Sequence, residues 1–494
     1  MPVKRPPVAA ADGQSAISGP NGSLDPRDWS GLRALGHRML DEMFDDLAGL
    51  RDGPVWRKMP GALRDAWAEP LPRAGQDADL VYDTVRRSIA PYVVGNRHPR
   101  FFGWVHGGGT GIGMLAEMLA GALNANCGGR DQAPIAVERQ VIRWAAEMLG
   151  LPPTSSGLLL TGTSMANLVA VLIARTAALG GDVRQEGIGA ARLTGYAASG
   201  VHLCVARAFD MAGLGSDAMR LIRCDDAYRI DVAALRAAIA ADRAAGFTPF
   251  LAIGTAGSVD VGAIDDLGAM ADVCERERLW FHVDAALGAI AMLSPTLRGR
   301  FTGMERADSV AFDFHKWAQV PYDAGCIVVR DPKLQRAAFA REVGYLGRAT
   351  RGLAAGEDWP VDLGPELSRG FRALKVWMTL RTYGADRIGA VAERSCALAE
   401  RLAGAIDAEP LLDRIAPVPL NIVCFRYLPG DDAMQATIAA DLQEAGDAVV
   451  STTRIGGRVA LRAAFVNHRT TEADVTALLK SVLAAGAQRA RQAA

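Results

Sequence analysis

Seven short apolar runs lie between residues 157 and 330: GLLLTG, HLCVA, RLIRC, PFLAIGTAG, LWFHVDAA, SVAFDF and GCIVVR. Most of the intervals between them carry apolar residues at helical spacing. Near-continuous apolar runs mark strands covered on both faces, and parallel strands need crossovers of about a dozen residues or more, usually helical. The alternation therefore confines this region to an α/β domain around a largely parallel sheet. GMLAEMLAGALNAN and PIAVERQVIRWAAEMLG read as helices ahead of it, and GLLLTG runs straight into a helix, SMANLVAVLIART. The end of the chain differs, with strand candidates NIVCFRYL and RVALRAAF and a last helix TEADVTALLKSVLAAGA. The predicted organisation is a mobile arm over 1–28, a helical segment over 29–100, the sheet domain over 101–385 and a smaller α+β domain over 386–494. In the helical segment Leu32, Leu35, Met39 and Met43 recur on one face.

Single hydrophobic cores stop growing near ~250–300 residues, so a chain of 494 requires more than one structural unit. Its 54 basic and 55 acidic side chains leave a formal charge of -1, which argues against a nucleic-acid partner. The opening MPVKRPPVAAADGQSAIS has no apolar core of signal-peptide length, and no run of ~18 apolar residues is available to span a membrane. A cytoplasmic protein is predicted. The seven cysteines include no C-x-x-C pair, which argues against a disulfide framework and a zinc site; no metal is expected.

Lysine is rare: six against 48 arginines, and one is Lys316, within SVAFDFHKWAQVPYDAGC. Arginine stays charged, whereas a buried lysine amine can lose its proton and attack a carbonyl. Phe312, Phe314 and Trp317 around it predict a water-poor setting that lowers the amine pKa, although a surface lysine is the ordinary reading of any lysine. Asp284 ends the run LWFHVD, where a buried carboxylate needs a cation or strong donors; it suits either a protonated ring nitrogen or a structural ion pair. In TGTSMANL, Thr163 and Ser164 offer hydroxyls at the first turn of a helix, fitting a bound phosphate or an ordinary cap. A phosphate cradle, a strand-end aspartate and a low-dielectric lysine, in that order, are the parts that hold pyridoxal phosphate.

With these residues in place, the chain from about His98 to Arg469 resembles the group II pyridoxal-phosphate decarboxylases, which include the aromatic-amino-acid, histidine and glutamate decarboxylases. DFHKW followed by PYDAG carries most of the likeness, and HPRFFGW, LNAN, TGTSMANL, HVDAALGA, SRGFRALKVW and LRAAFVNHRTTE support it in order. The resemblance implies the aspartate-aminotransferase-like fold (fold type I), an α/β large domain with a mainly parallel seven-stranded sheet plus a small C-terminal α+β domain, in a homodimer. It also implies roles. Lys316 would bind the cofactor as a Schiff base, Asp284 would pair with the pyridine nitrogen and Ala286 would pack on the ring. Thr163, Ser164 and His315 would hold the phosphate. Thr255 would join the cofactor contacts, and His202 would stack on the ring and share in catalysis with Lys316 and Tyr345, a mobile-loop tyrosine. Phe101, Trp104 and His106 would line the substrate pocket.

The sequence also departs from the family. Val105, His106 and three glycines follow Trp104 where aromatic-specific members have an aromatic-proline pair, Ser258 and Val259 replace commoner threonines, and Ala324 replaces a common cysteine. The activity implied is decarboxylation of an L-amino acid, aromatic favoured, to its amine. An aldehyde-forming offshoot, an aminotransferase and an inactive cofactor-binding scaffold are the alternatives.

Overall fold

The computed structural model describes residues 23–26, 28–341, 348–356 and 359–493; Tyr345 lies outside them. Two compact units divide after Gly95. In the first, Trp29–Ala48 is helical and starts at Asp28, whose carboxylate accepts from the N–H groups of Ser30 and Gly31, as an N-cap should. Of its residues Leu35 is buried, while Trp29, Leu32, Met39 and Phe44 are exposed.

The second unit holds both sheets. The large one contains β1 (Ser156–Leu160), β2 (Leu193–Ala198), β3 (Met219–Ile222), β4 (Thr248–Thr255), β5 (Trp280–Asp284), β6 (Ser309–Asp313) and β7 (Gly325–Val329), in the order β1-β7-β6-β5-β4-β2-β3. Every pairing is parallel except the two made by β7, so only that strand runs backwards. Successive side chains of β1 enter opposite cores: Leu158 and Leu160 pack on the side of the helix Thr163–Leu179, and Leu159 on the side of the helix Ala133–Leu149. The small sheet joins β8 (Leu412–Arg414), β9 (Ile422–Tyr427), β10 (Ser451–Ile455) and β11 (Arg458–Ala464) in the antiparallel order β10-β11-β9-β8. The helices Ala385–Asp407 and Glu472–Ala493 belong to the same end of the chain, and Phe425, Leu402 and Leu478 share its core.

Six of the seven apolar runs are strands. HLCVA is not: it leads into the helix Cys204–Met211, where Cys204, Val205, Ala208 and Phe209 are buried at helical spacing. The missing strand is β2, LTGYAA, buried at every position although it contains glycine and two alanines. Gly195 explains why, since a Cβ there would stand 2.4 Å from Cζ of Phe209, the residue that packs onto the strand. Among the described residues no helix is long and apolar enough to cross a membrane.

Candidate active site

Ligands of open α/β sheets gather beyond the carboxyl ends of the parallel strands, and here β4, β5 and β6 finish on Thr255, Asp284 and Asp313. These three side chains line one cavity of about 580 Å³ together with Thr163 and Ser164, which follow β1. His202, Ala286, His315, Lys316, Trp104 and His106 also line it. Phe101 does not. It is buried behind the wall, its ring stacked on His106 at 5.7 Å, so it supports the pocket without forming its surface. His202 is exposed at the cavity wall, two residues before the helix Cys204–Met211, and is not the packed core histidine that its apolar surroundings suggest.

The floor depends on small residues. Gly162 and Gly325 lie back to back, with a Cβ on Gly325 only 2.3 Å from Cα of Gly162. Gly107, first of the three glycines after His106, presses on the backbone of the lysine: its Cβ would fall 2.4 Å from the carbonyl oxygen of Lys316. Above them Trp104 adopts φ 49°, a left-handed conformation that costs a non-glycine residue of order 1–3 kcal/mol. Its backbone is held from both sides, its N–H donating to Ser451 Oγ at 3.3 Å and its carbonyl accepting from Arg462 Nη1 at 3.0 Å.

Lys316 follows β6, and its ammonium meets Asp313 Oδ2 at 2.8 Å. Phe312, Phe314 and Trp317 are buried, as their composition predicts, but the lysine pKa moves the other way. Burial lowers it, yet the adjoining Asp313 carboxylate outweighs burial and the net shift is upward. Asp313 is itself buried, which alone would raise its pKa; the charges of Lys316 and His315 bring it below the usual carboxylate range. Its other oxygen accepts the Thr163 N–H at 2.8 Å. The helix start is therefore partly answered by the protein's own carboxylate, and Gly162, which offers no side chain, is its cap. Neither hydroxyl of the pair caps that helix. Thr163 Oγ1 is buried without a hydrogen-bond partner, and so is Thr255 Oγ1.

Asp284 is buried and accepts from Asn167 Nδ2 at 2.8 Å and from the Ala286 N–H at 3.1 Å. His315 Nδ1 accepts the Ala324 N–H at 3.0 Å, leaving Nε2 to carry the ring hydrogen. The same inference applies to His202, whose Nδ1 accepts the Cys204 N–H at 3.3 Å. Asp313 and Asn167 escape a reading by motif, though both had a signal. Asp313 stands three residues before the lysine, and Asn167 lies one helical turn beyond Thr163, on the same face.

Asp313 sets an expected pH effect. An aldehyde adds to a neutral amine and not to its ammonium, and a raised lysine pKa leaves less of the neutral form at a given pH. In Asp313→Asn, burial becomes the dominant influence and lowers the lysine pKa, so the midpoint for adding an aldehyde such as pyridoxal to this amine falls to lower pH. The measurement is the rate of appearance of borohydride-sensitive absorbance against pH in both proteins; an unchanged midpoint removes Asp313 from control of the amine.

The chain matches the model of the pyridoxal-dependent decarboxylase conserved domain over residues 60–428. It is 31% identical over 468 residues to an aromatic-L-amino-acid decarboxylase of Bacillus atrophaeus, covering 92% of this chain and 95% of the relative. Phenylacetaldehyde synthase of Arabidopsis thaliana is 29% identical, with 92% and 96% covered. The crystal structure of Oryza sativa TDC with PLP and tryptamine superposes with a TM-score of 0.87 at 27% identity, covering 94% of this chain and all of that one. The unpartnered hydroxyls of Thr163 and Thr255, in a cavity that also holds a lysine amine and a strand-end carboxylate, fit a phosphorylated pyridine aldehyde. The family model spans most of the sequence, the fold is that of its solved members, and the cavity suits their cofactor: this chain belongs to the pyridoxal-dependent decarboxylase family.

Proposed function

We propose that the protein removes the carboxylate of an L-amino acid, aromatic side chains favoured, as carbon dioxide and releases the amine. The observation that carries this reading is the convergence of the Lys316 amine, the Asp284 carboxylate and two unpartnered buried hydroxyls on one cavity. Trp104 and His106, stacked at 6.0 Å along its wall, favour a flat aromatic side chain, as do the names of the relatives.

Lys316 would hold pyridoxal phosphate covalently, Asp284 would meet its ring nitrogen, and His202 and Ala286 would flank the ring. Thr163, Ser164 and His315 would take the phosphate and Thr255 a ring oxygen. When bound, this group supplies the electron sink for the pair left on the substrate α-carbon. The protein's part is orientation and proton control. Asp284 holds a negative charge at a fixed point, His202 presents an N–H at Nε2, and Lys316 Nζ carries a proton that Asp313 retains when the amine is free. A screen of amino acids for carbon dioxide release tests the reading. Release from none of them by protein that carries borohydride-sensitive cofactor would overturn it.

Tyr345 is assigned the proton that returns to the substrate carbon. Tyr345→Phe is then expected to bind amino acid almost normally while the amine-to-aldehyde ratio falls in air, because a carbanion that waits for its proton is open to oxygen. The same ratio in the unaltered protein separates the decarboxylase from an aldehyde-forming relative such as phenylacetaldehyde synthase. An unchanged ratio and rate in the variant would leave protonation to His202 or water.

The exposed Trp29, Leu32, Met39 and Phe44 on the helix Trp29–Ala48 support a homodimer in which a second copy covers that face. Sedimentation equilibrium should return twice the chain mass, and an active monomer would refute the pairing.

A further inference from the structure

Four buried side chains outside the cavity form a line that ends on Asp284. Trp280, His282 and Asp284 alternate along β5 and so project from one face of the sheet. Ser309, first residue of β6, lies directly beside His282 in the parallel register, and Asn167 reaches down from the helix Thr163–Leu179. The contacts are continuous. Trp280 Nε1 is 2.9 Å from Ser309 Oγ, Ser309 Oγ is 2.8 Å from His282 Nδ1, His282 Nε2 is 2.9 Å from Asn167 Oδ1, and Asn167 Nδ2 is 2.8 Å from Asp284 Oδ2. The second Asn167 N–H reaches Cys204 Sγ at 3.3 Å, and neither Asn167 nor His282 is exposed at all.

The direction of every hydrogen in this line follows from its two ends. An indole nitrogen only donates and a carboxylate only accepts. With Asp284 accepting, Asn167 must turn its amide nitrogen toward it and its oxygen toward His282. His282 then carries its hydrogen on Nε2 and presents a lone pair at Nδ1. Ser309 donates its hydroxyl hydrogen to that lone pair, although its own carbonyl oxygen is also 3.1 Å away, and accepts from Trp280. All four bonds point the same way. Burial keeps the imidazole neutral, its pKa brought down to about 3, so the line is one of aligned dipoles with no charge of its own. It does not conduct protons either, because the indole at its far end has none to release.

We infer that Asn167, His282 and Ser309 are positioning residues that lock Asp284 as an oriented, ionised acceptor, and thereby keep the cofactor's ring nitrogen protonated. The inference rests on the role proposed for Asp284. An ordinary buried network would stabilise the fold without a preferred direction. This one ends on the single carboxylate that the cofactor chemistry needs charged, and dipoles aligned in a low-dielectric interior reinforce one another.

The test uses the full-length protein reconstituted with pyridoxal phosphate labelled at the ring nitrogen, read by nitrogen resonance position and by cofactor dissociation constant. Neither readout requires turnover, so failure to find a substrate and failure of this inference are separate results. Asn167→Leu should move the ring-nitrogen signal toward the unprotonated position and weaken cofactor binding about 10- to 100-fold, the effect of losing one hydrogen bond to a charged group. His282→Phe should do the same, and His282→Gln, which keeps a donor toward Asn167 and an acceptor toward Ser309, should restore much of both. If His282→Phe does not fold, Ser309→Ala carries the test. It removes one atom and frees the imidazole to adopt the reversed tautomer, with its hydrogen on Nδ1 toward the Ser309 carbonyl, which turns the Asn167 oxygen against Asp284. A ring nitrogen that stays protonated with unchanged affinity in folded Asn167→Leu and Ser309→Ala would overturn the assignment.

Discussion

Lys316→Ala is expected to lose carbon dioxide release completely and to lose the borohydride-sensitive absorbance of bound cofactor, since among the described residues no other lysine lines the cavity. The variant is also expected to be less stable, for a reason distinct from catalysis. Asp313 is buried, and the lysine ammonium 2.8 Å away is the nearest charge that compensates it. Removing one partner of a buried ion pair costs about 3–5 kcal/mol, because the remaining charge keeps its desolvation penalty. The sign with pH follows. In the intact protein Asp313 titrates below its unfolded value, so its contribution is present above the unfolded carboxylate pKa and is lost as pH falls through the folded one. Without the lysine, burial raises the Asp313 pKa, and the variant should be most destabilised near neutral pH and recover as the carboxyl protonates. The double variant Lys316→Ala with Asp313→Asn should regain most of the stability and none of the activity. Denaturant melts at two pH values and a borohydride assay check both halves. Turnover retained by either variant would overturn the central assignment.

Asp284→Asn carries the second large effect. An amide cannot balance a pyridinium charge, and the present hydrogen bonds make it worse than neutral. Asn167 donates to one oxygen and the Ala286 N–H to the other, so in either flip that keeps the carboxylate's place an amide's NH₂ faces a donor. Turning the NH₂ away toward the cavity is the remaining escape, and there it would donate to the ring nitrogen, which favours the unprotonated ring. A fall in kcat of about 10²–10³, the range typical of losing one preorganised electrostatic partner, is expected. One unsatisfied donor should add about 1–3 kcal/mol of lost stability. A rate near that of the unaltered protein would exclude the pairing of Asp284 with the ring.

Much of the site is legible in the sequence because its residues sit at the ends of strands that announce themselves. LWFHVD, PFLAIGT and SVAFD are apolar enough to be read as strands, and the polar residue that ends each one falls at the carboxyl edge of the sheet, where ligands bind. LTGYAA is not readable in this way. Its burial comes from the Phe209 ring filling the space above Gly195, a contact between segments, while HLCVA has the composition of a strand and the burial pattern of a helix. The cavity wall shows the same limit. Phe101 and Trp104 are three residues apart in one motif, yet the left-handed backbone at Trp104 and the Ser451 and Arg462 contacts that hold it bring the tryptophan to the cavity, with Phe101 behind.

Local chemistry determined which groups stand out as candidates: a rare lysine between a histidine and a tryptophan, an aspartate closing an apolar strand, a hydroxyl pair opening a helix. These follow from residue type and from periodicities of two and 3.6, which act over a few residues and survive in the linear text. The protonation state of those groups depends on through-space distance, and only the folded chain sets it. Aromatic neighbours alone predict a lysine with a lowered pKa, but β6 places Asp313 2.8 Å from the ammonium and reverses the shift. Asp284 likewise reads as a lone carboxylate until β5, β6 and the helix Thr163–Leu179 pack together. Coulomb and hydrogen-bond energies rise steeply as charges approach within ~4 Å, and that proximity is supplied by residues 117 and 115 positions apart along the chain.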